Sequence, residues 1–314
     1  MRRVLLLKSA GLLTGLMTLC IAGACTHLAA AEELTIIPPL ESQGEYVVPE
    51  VLQLSATTLR VYEAPEADQG VAVDETYFYP VDNSKIGKYR RDTGELVARF
   101  MVPRRGLLRH MNSCKVRESE LWCANSNYSM TPMGSSVEIF DTASMTHKAS
   151  HSLGMMDEGS LTWIDQYRGG HIAGFAHYSG NGGLTFKDHT FASVVTFDTE
   201  WRRTGGWLFP PSVVERMAPY AASGGALGPD GLLYILGHDL PEMYVLARPQ
   251  MGPALIHVAT ISVEAEGQAF SFAPGEDREV LVIDRRKGLV RQLSLPEIGA
   301  LPADARTFAG GRLD

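Results

Sequence analysis

Cysteine is scarce. The 314-residue chain has four, and two of them, Cys20 and Cys25, fall in an N-terminal apolar stretch. The other two, Cys114 and Cys123, make no C-x-x-C motif and have no second pair beside them, which argues against a zinc ribbon or a dithiol redox centre. Excess positive charge is also missing. With a formal net charge of −8, nucleic acid and anionic lipid are not expected as partners, because both reward a basic surface. After the N-terminus no segment approaches the ~18 uninterrupted apolar residues of a membrane span. Several catalytic signatures are absent too. Gly169-Gly170 and Gly224-Gly225 lead into no helical pattern, so no phosphate loop is implied. Ser223-Gly224-Gly225 lacks the G-x-S-x-G context of a nucleophile elbow. The chain has no H-E-x-x-H motif and no EF-hand loop.

What is present at the N-terminus reads as targeting. Arg2 and Arg3 precede the uncharged apolar stretch Ser9 to Ala24. Two exits compete: Ile21-Ala22-Gly23-Ala24-Cys25 is similar to a bacterial lipobox that would lipidate Cys25, and Ala29-Ala30-Ala31 before Glu32 is an A-x-A cleavage site. Arg2-Arg3-Val4-Leu5 is loosely similar to a twin-arginine signal, with Leu5 in place of the usual Phe. The expected organisation is a signal peptide over 1–31, a linker over 32–56, the folded domain over 57–296 and a C-terminal tail over 297–314. The mature protein is then periplasmic or secreted, with a lipid anchor if the Cys25 exit is used.

The rest of the chain repeats itself. Apolar strands open on small or amide-bearing residues at Gln69-Gly70, Met111-Asn112, Gly159-Ser160, Gly224-Gly225 and Gly267-Gln268. Their spacing, roughly 40 to 65 residues, suits a solenoid or a propeller. Four strands can be traced in each copy by β-branched and aromatic runs, with Asx and Gly at the turns. The fifth copy stops at Pro296 without its fourth strand, while Thr57 to Tyr62 precedes the first copy unassigned. Pairing that strand with Leu289 to Leu293 closes a ring and removes the open edge. The chain is therefore predicted to be all-β, a propeller of five four-stranded blades closed by an N-terminal strand, with six blades as the alternative. Cys114 and Cys123 are symmetric about Glu118-Ser119. Across a two-residue turn they face each other at a non-hydrogen-bonded position, about 4.5 Å between Cα atoms, and an oxidising compartment favours the disulfide.

The turn phrases Lys88-Tyr89-Arg90-Arg91-Asp92-Thr93-Gly94-Glu95 and Glu138-Ile139-Phe140-Asp141-Thr142 resemble those of YVTN, NHL and SMP-30-like β-propellers. The resemblance implies blades. The group includes lactonases, lyases, hydrolases and non-catalytic scaffolds, and it transfers no catalytic residue.

Topology sorts the polar residues. Strands alternate in direction within a blade, so the blade-to-blade connections and the loops between second and third strands share one face, here the top. That face is expected to gather Gln69, Asp82, Asn83, His110, Asn112, Asn125, Ser126, Asn127, Ser160, His177, Tyr178, Ser223, His238, Asp239, Gln268, Asp284 and Arg285, where a rigid scaffold carries binding groups. The bottom face is expected to hold plain turn residues, among them Asp74-Glu75, Glu118-Ser119 and Pro229-Asp230-Gly231. His238 beside Asp239, and His177 at the matching loop, are the candidate general base or metal ligands. Arg285 is a candidate clamp for a carboxylate or phosphate. Trp122, Trp163 and Trp207 read as packing aromatics. Three functions follow: a propeller binding a polar small molecule, glycan or peptide at one channel mouth; a metal-assisted hydrolase or lactonase-like enzyme using Ca or Zn there; or a protein-interaction scaffold.

Overall fold

The structure, a computed structural model, describes residues 49–308 apart from 104, 105, 107, 181–183, 276 and 277. The expected signal peptide, Cys25 and most of the expected linker lie outside the described residues. Strand accounts for 52% of the described residues and helix for 4%.

Two strands precede the first blade, β1 (Leu52–Ser55) and β2 (Thr57–Glu63). Blade one is β3 (Gly70–Val73), β4 (Tyr77–Asp82), β5 (Lys85–Arg90) and β6 (Leu96–Met101). Blade two is β7 (His110–Arg117), β8 (Glu120–Ser126), β9 (Gly134–Asp141) and β10 (Thr146–Met155). Blade three is β11 (Ser160–Tyr167), β12 (Gly170–Ala176), β13 (Ser193–Phe197) and β14 (Arg203–Leu208), followed by a short helix α1 (Pro211–Met217). Blade four is β15 (Gly224–Leu227), β16 (Leu233–Leu236), β17 (Glu242–Pro249) and β18 (Ile256–Ser262). Blade five is β19 (Ser271–Phe272), β20 (Glu279–Asp284) and β21 (Leu289–Ser294), completed by β2. A last strand, β22 (Ala305–Arg306), pairs with the end of β17.

The ring has five blades, and β2 closes it. Thr58 pairs with Leu293 and Glu63 with Leu289, so the N-terminal strand is the outermost strand of the last sheet. Blade four gains a fifth strand that the repeat did not announce. β1 lies parallel to β18, Leu52 opposite Ala259 through Ser55 opposite Ser262.

Burial falls from axis to rim. All four residues of β3 and of β16 are buried, while β6 and β14 carry no buried residue. Inner strands therefore read as short continuous apolar runs, because both of their faces meet other blades. Around the axis Val71, Ala72, Ser113, Thr162, Ala226 and Ser271 are buried, and a Cβ on Gly70 would come within 2.6 Å of the Ala269 Cβ. Small residues thus fill the throat and separate a top mouth from a bottom one. Cys114 and Cys123 are paired across β7 and β8 and form the disulfide, with Cα atoms 4.0 Å apart. The two-residue turn at Glu118-Ser119 sits between Arg117 and Glu120, which face each other in register, and Glu118 takes a φ of 54°.

Candidate functional site

The top mouth is a cavity of about 390 Å³ lined from four blade-to-blade connections and five loops. Nine of the seventeen residues placed there by topology line it: Gln69, Asn83, His110, Asn112, Tyr178, Ser223, His238, Gln268 and Arg285. Asp82, Asn125, Ser126, Asn127 and Asp284 do not, and neither do three of the candidate site residues. Ser160 is buried beside it and donates to the Ser126 hydroxyl at 2.8 Å. His177 is buried behind the mouth, with Nε2 3.1 Å from the Asp157 carbonyl, and burial holds its pKa below the ordinary histidine range. Asp239 is outside, half exposed, and accepts from His238 Nδ1 at 2.6 Å.

The rim is a closed circuit of eight side chains. His110 lies against Tyr128 with ring centroids 5.0 Å apart, Tyr128 meets Tyr178 edge-on at 5.2 Å, and Tyr178 meets Tyr220 at 5.8 Å. Tyr220 stacks on His238 at 4.0 Å. Arg285 then donates to His238 Nε2 at 3.2 Å and faces Asp68 at 3.6 Å. Asp68 accepts from Asn83 at 3.5 Å and from Gln69 at 3.1 Å, and Asn83 Oδ1 accepts a hydrogen bond from His110 Nδ1–H, which closes the circuit.

This wiring fixes protonation. The Asn83 amide nitrogen is directed at the Asp68 carboxylate, so its oxygen faces His110, and the hydrogen sits on His110 Nδ1 with Nε2 left as an acceptor. Burial pushes the His110 pKa down to about 4, against the opposing pull of Asp68, so the ring is neutral at physiological pH. Backbone N–H groups of Arg109 and His110 both donate to Asn125 Oδ1 at 3.2 Å, which seats the histidine. Tyr178 is buried, pairs with the Ser223 side chain, and has its pKa driven up by burial. Tyr128 is pushed up by burial and then by Tyr220.

Asn112 and Gln268 are 2% exposed, and their side-chain amides have no hydrogen-bond partner among the described residues. The fully enclosed side-chain atoms without a partner lie elsewhere, on Arg117, Trp163, His177, Arg248 and Arg291, so both amides keep an open edge toward the cavity. The backbone explains their position: Asn112 falls in the register shift between Met111 and Cys114, and Gln268 adopts a φ of 70° just ahead of β19.

Chemically, the mouth offers amides, a neutral imidazole, hydroxyls and guanidinium groups around aromatic faces. Among the described residues no three His, Cys, Asp or Glu side chains gather to hold a metal, and His238 has both ring nitrogens engaged. A Ser–His–carboxylate grouping does exist on blade two, but Ser150 and Glu138 both meet the same His147 nitrogen, at 3.3 and 2.8 Å. A relay needs the two nitrogens to face opposite partners. The bottom mouth is larger than its plain turns suggested, about 760 Å³, and is walled by Asp74, Glu75, Lys115, Glu118 and Pro229 among others. Its lysine is already committed to Asp165.

Five mouth residues were not named from the sequence: Asp68 at the rim, and Arg109, Tyr128, Ser129 and Tyr220 in the lining. The available signal was proximity. Asp68 and Tyr220 stand two and four residues before Gly70 and Gly224, Arg109 adjoins His110, and Tyr128 lies in the loop after β8.

No family profile matches the chain, and no curated protein matches it. Among solved structures the chain is similar to one in the crystal structure of a mitotic checkpoint complex, at 12% identity over 76% of this chain and 78% of that one, with a TM-score of 0.40. It is also similar to the RRP9 WD40 repeats, at 10% identity over 79% and 100%, with a TM-score of 0.40.

Proposed function

We propose that this chain is an exported binding propeller that takes a polar small molecule, a glycan terminus or a peptide end into its top mouth. The observation that carries this reading is the closed eight-residue rim around a cavity lined by two amides, Asn112 and Gln268, whose side chains are open to it and make no hydrogen bond among the described residues. Such a site is largely pre-formed, and a rigid rim reduces the ordering cost of binding. Export is supported by Arg2, Arg3 and the apolar stretch that follows. The blade phrases keep the YVTN, NHL or SMP-30-like type as the family reading. The hydrolase or lactonase alternative has less support, since His177 stands off the mouth and Arg285 occupies the free nitrogen of His238.

The test is a thermal-shift screen of sugars, short peptides and small polar metabolites, with hits repeated on Gln268→Ala and Asn112→Ala. Ligands of the mouth should stabilise the wild type and lose that effect in both variants. Hits that shift all three proteins equally would place the site elsewhere and end the reading.

A further inference from the structure

The cavity has a charge pattern opposite to that of the chain. Its described lining includes two guanidinium groups, Arg109 and Arg285, and neither Asp nor Glu, in a protein of net charge −8. Neither cation holds a carboxylate at close range among the described residues. Arg109 has no carboxylate partner among the described residues, and its Nη1 lies 3.8 Å from the Met130 sulfur. Arg285 donates to a histidine ring and has its carboxylate, Asp68, only at 3.6 Å, whereas Arg90, Arg202 and Arg278 hold theirs at 2.8 Å. Asp68 is itself shared with Gln69 and Asn83. Asp239 lies beyond His238 and is 54% exposed, and Arg109 is exposed as well, so water and salt weaken both charges.

We infer that the top mouth recognises a single carboxylate on a small, hydroxyl- or amide-bearing molecule, gripped by Arg285 and Arg109 while Asn112 and Gln268 complete polar groups at the floor. This rests on the binding reading given above. The charge count decides between anions. The lining itself holds two guanidinium groups and no carboxylate, and with Asp68 and Asp239 at its edge the site has little positive charge to spare, which suits a monoanion better than a phosphate of charge near −2. Arginine forks suit the planar geometry of a carboxylate. The tyrosines and the neutral His110 supply faces and acceptors for the uncharged body without adding charge.

The test is calorimetric titration of the purified protein with D-galacturonate and D-glucuronate against galactose and glucose, with a dipeptide against its C-terminal amide, and with inorganic phosphate. At least one acid series, uronate or free dipeptide, should bind about tenfold or more tightly than its neutral counterpart, with a preference that shrinks between about 20 and about 500 mM salt. Whichever series binds identifies the source of the carboxylate. Arg285→Gln and Arg109→Gln should erase the acid preference, Asn112→Ala should weaken acid and neutral forms alike, and Arg90→Gln on the outer surface should change nothing. Neutral forms binding as well as acids would overturn the carboxylate and leave the binding mouth standing. Phosphate binding more tightly than every carboxylate would overturn the monoanion. An acid preference unchanged in both arginine variants would place the cation elsewhere and overturn it too. Failure of acids, neutral forms and phosphate alike would remove both the carboxylate and the mouth as a small-molecule site.

Discussion

Trp163 shows how tightly single residues are specified. Its indole is 1% exposed and is held between blades three and four by two glycines. A Cβ on Gly174 would come 2.0 Å from Nε1, and one on Gly225 would come 2.4 Å from the same ring. Overpacking of this kind typically costs about 1–3 kcal/mol. Gly174→Ala should therefore shift the denaturation midpoint downward by that order, read by chemical unfolding, with the slope of the transition unchanged. An unaffected midpoint would mean that the indole can relax. At the same scale, Asn83 selects the His110 tautomer. Asn83→Asp should instead favour a protonated ring, and NMR titration should find the His110 pKa raised from about 4.

At the scale of elements, the ring depends on β2. Its outward residues Leu59 and Val61 are half exposed, while Tyr62 is buried against Phe78 with centroids 4.6 Å apart, bridging blades five and one. Removing residues through Tyr62 leaves β21 as an open edge. That truncation should aggregate or melt without cooperativity in size-exclusion and thermal scans, and a soluble, cooperatively folded product would refute closure by this strand. The disulfide acts more locally. With a sequence separation of 9 between Cys114 and Cys123, the loop it closes is short, and its contribution should be about 3 kcal/mol or less. Reduction should lower the unfolding midpoint modestly without unfolding the protein.

For the whole molecule, buried histidines set the pH response. Burial pushes His110, His171 and His257 down to about 4, and for His171 the neighbouring Arg117 adds to it. Unfolded histidine takes up its proton near ~6.5. Between those values the unfolded chain binds protons that the folded chain refuses. Stability is therefore fully present above about 6.5 and is lost as pH falls toward 4. Melting temperature should decline across that window and level off above it. His171→Phe, placed where the ring stacks on Trp201 at 4.0 Å, should flatten part of the decline, and an identical slope in the variant would count against this assignment.

The order of strands, the five blades, the closing strand and the disulfide were legible in the sequence because each depends on local pattern. Turn residues punctuate the strands, an unpaired strand at one end matches a missing one at the other, and two cysteines are symmetric about one turn. The face on which Gln69, Asn112, His238 and Arg285 gather was legible for the same reason, since strand alternation fixes it. Depth and pairing were not legible. Ser160 and His177 occupy the right ends of the right strands yet are buried, because they find partners inside, Ser160 on the Ser126 hydroxyl and His177 on the Asp157 carbonyl, that no spacing along the chain reveals. The roles of Asp68, Arg109, Tyr128 and Tyr220 depend on loops from different blades meeting in space, and no spacing along the chain encodes those distances. Nor could composition show that a chain of net charge −8 lines one mouth with two arginines and no carboxylate among the described residues. Local sequence determined which segments become blades; only the closed ring decided which side chains share a site.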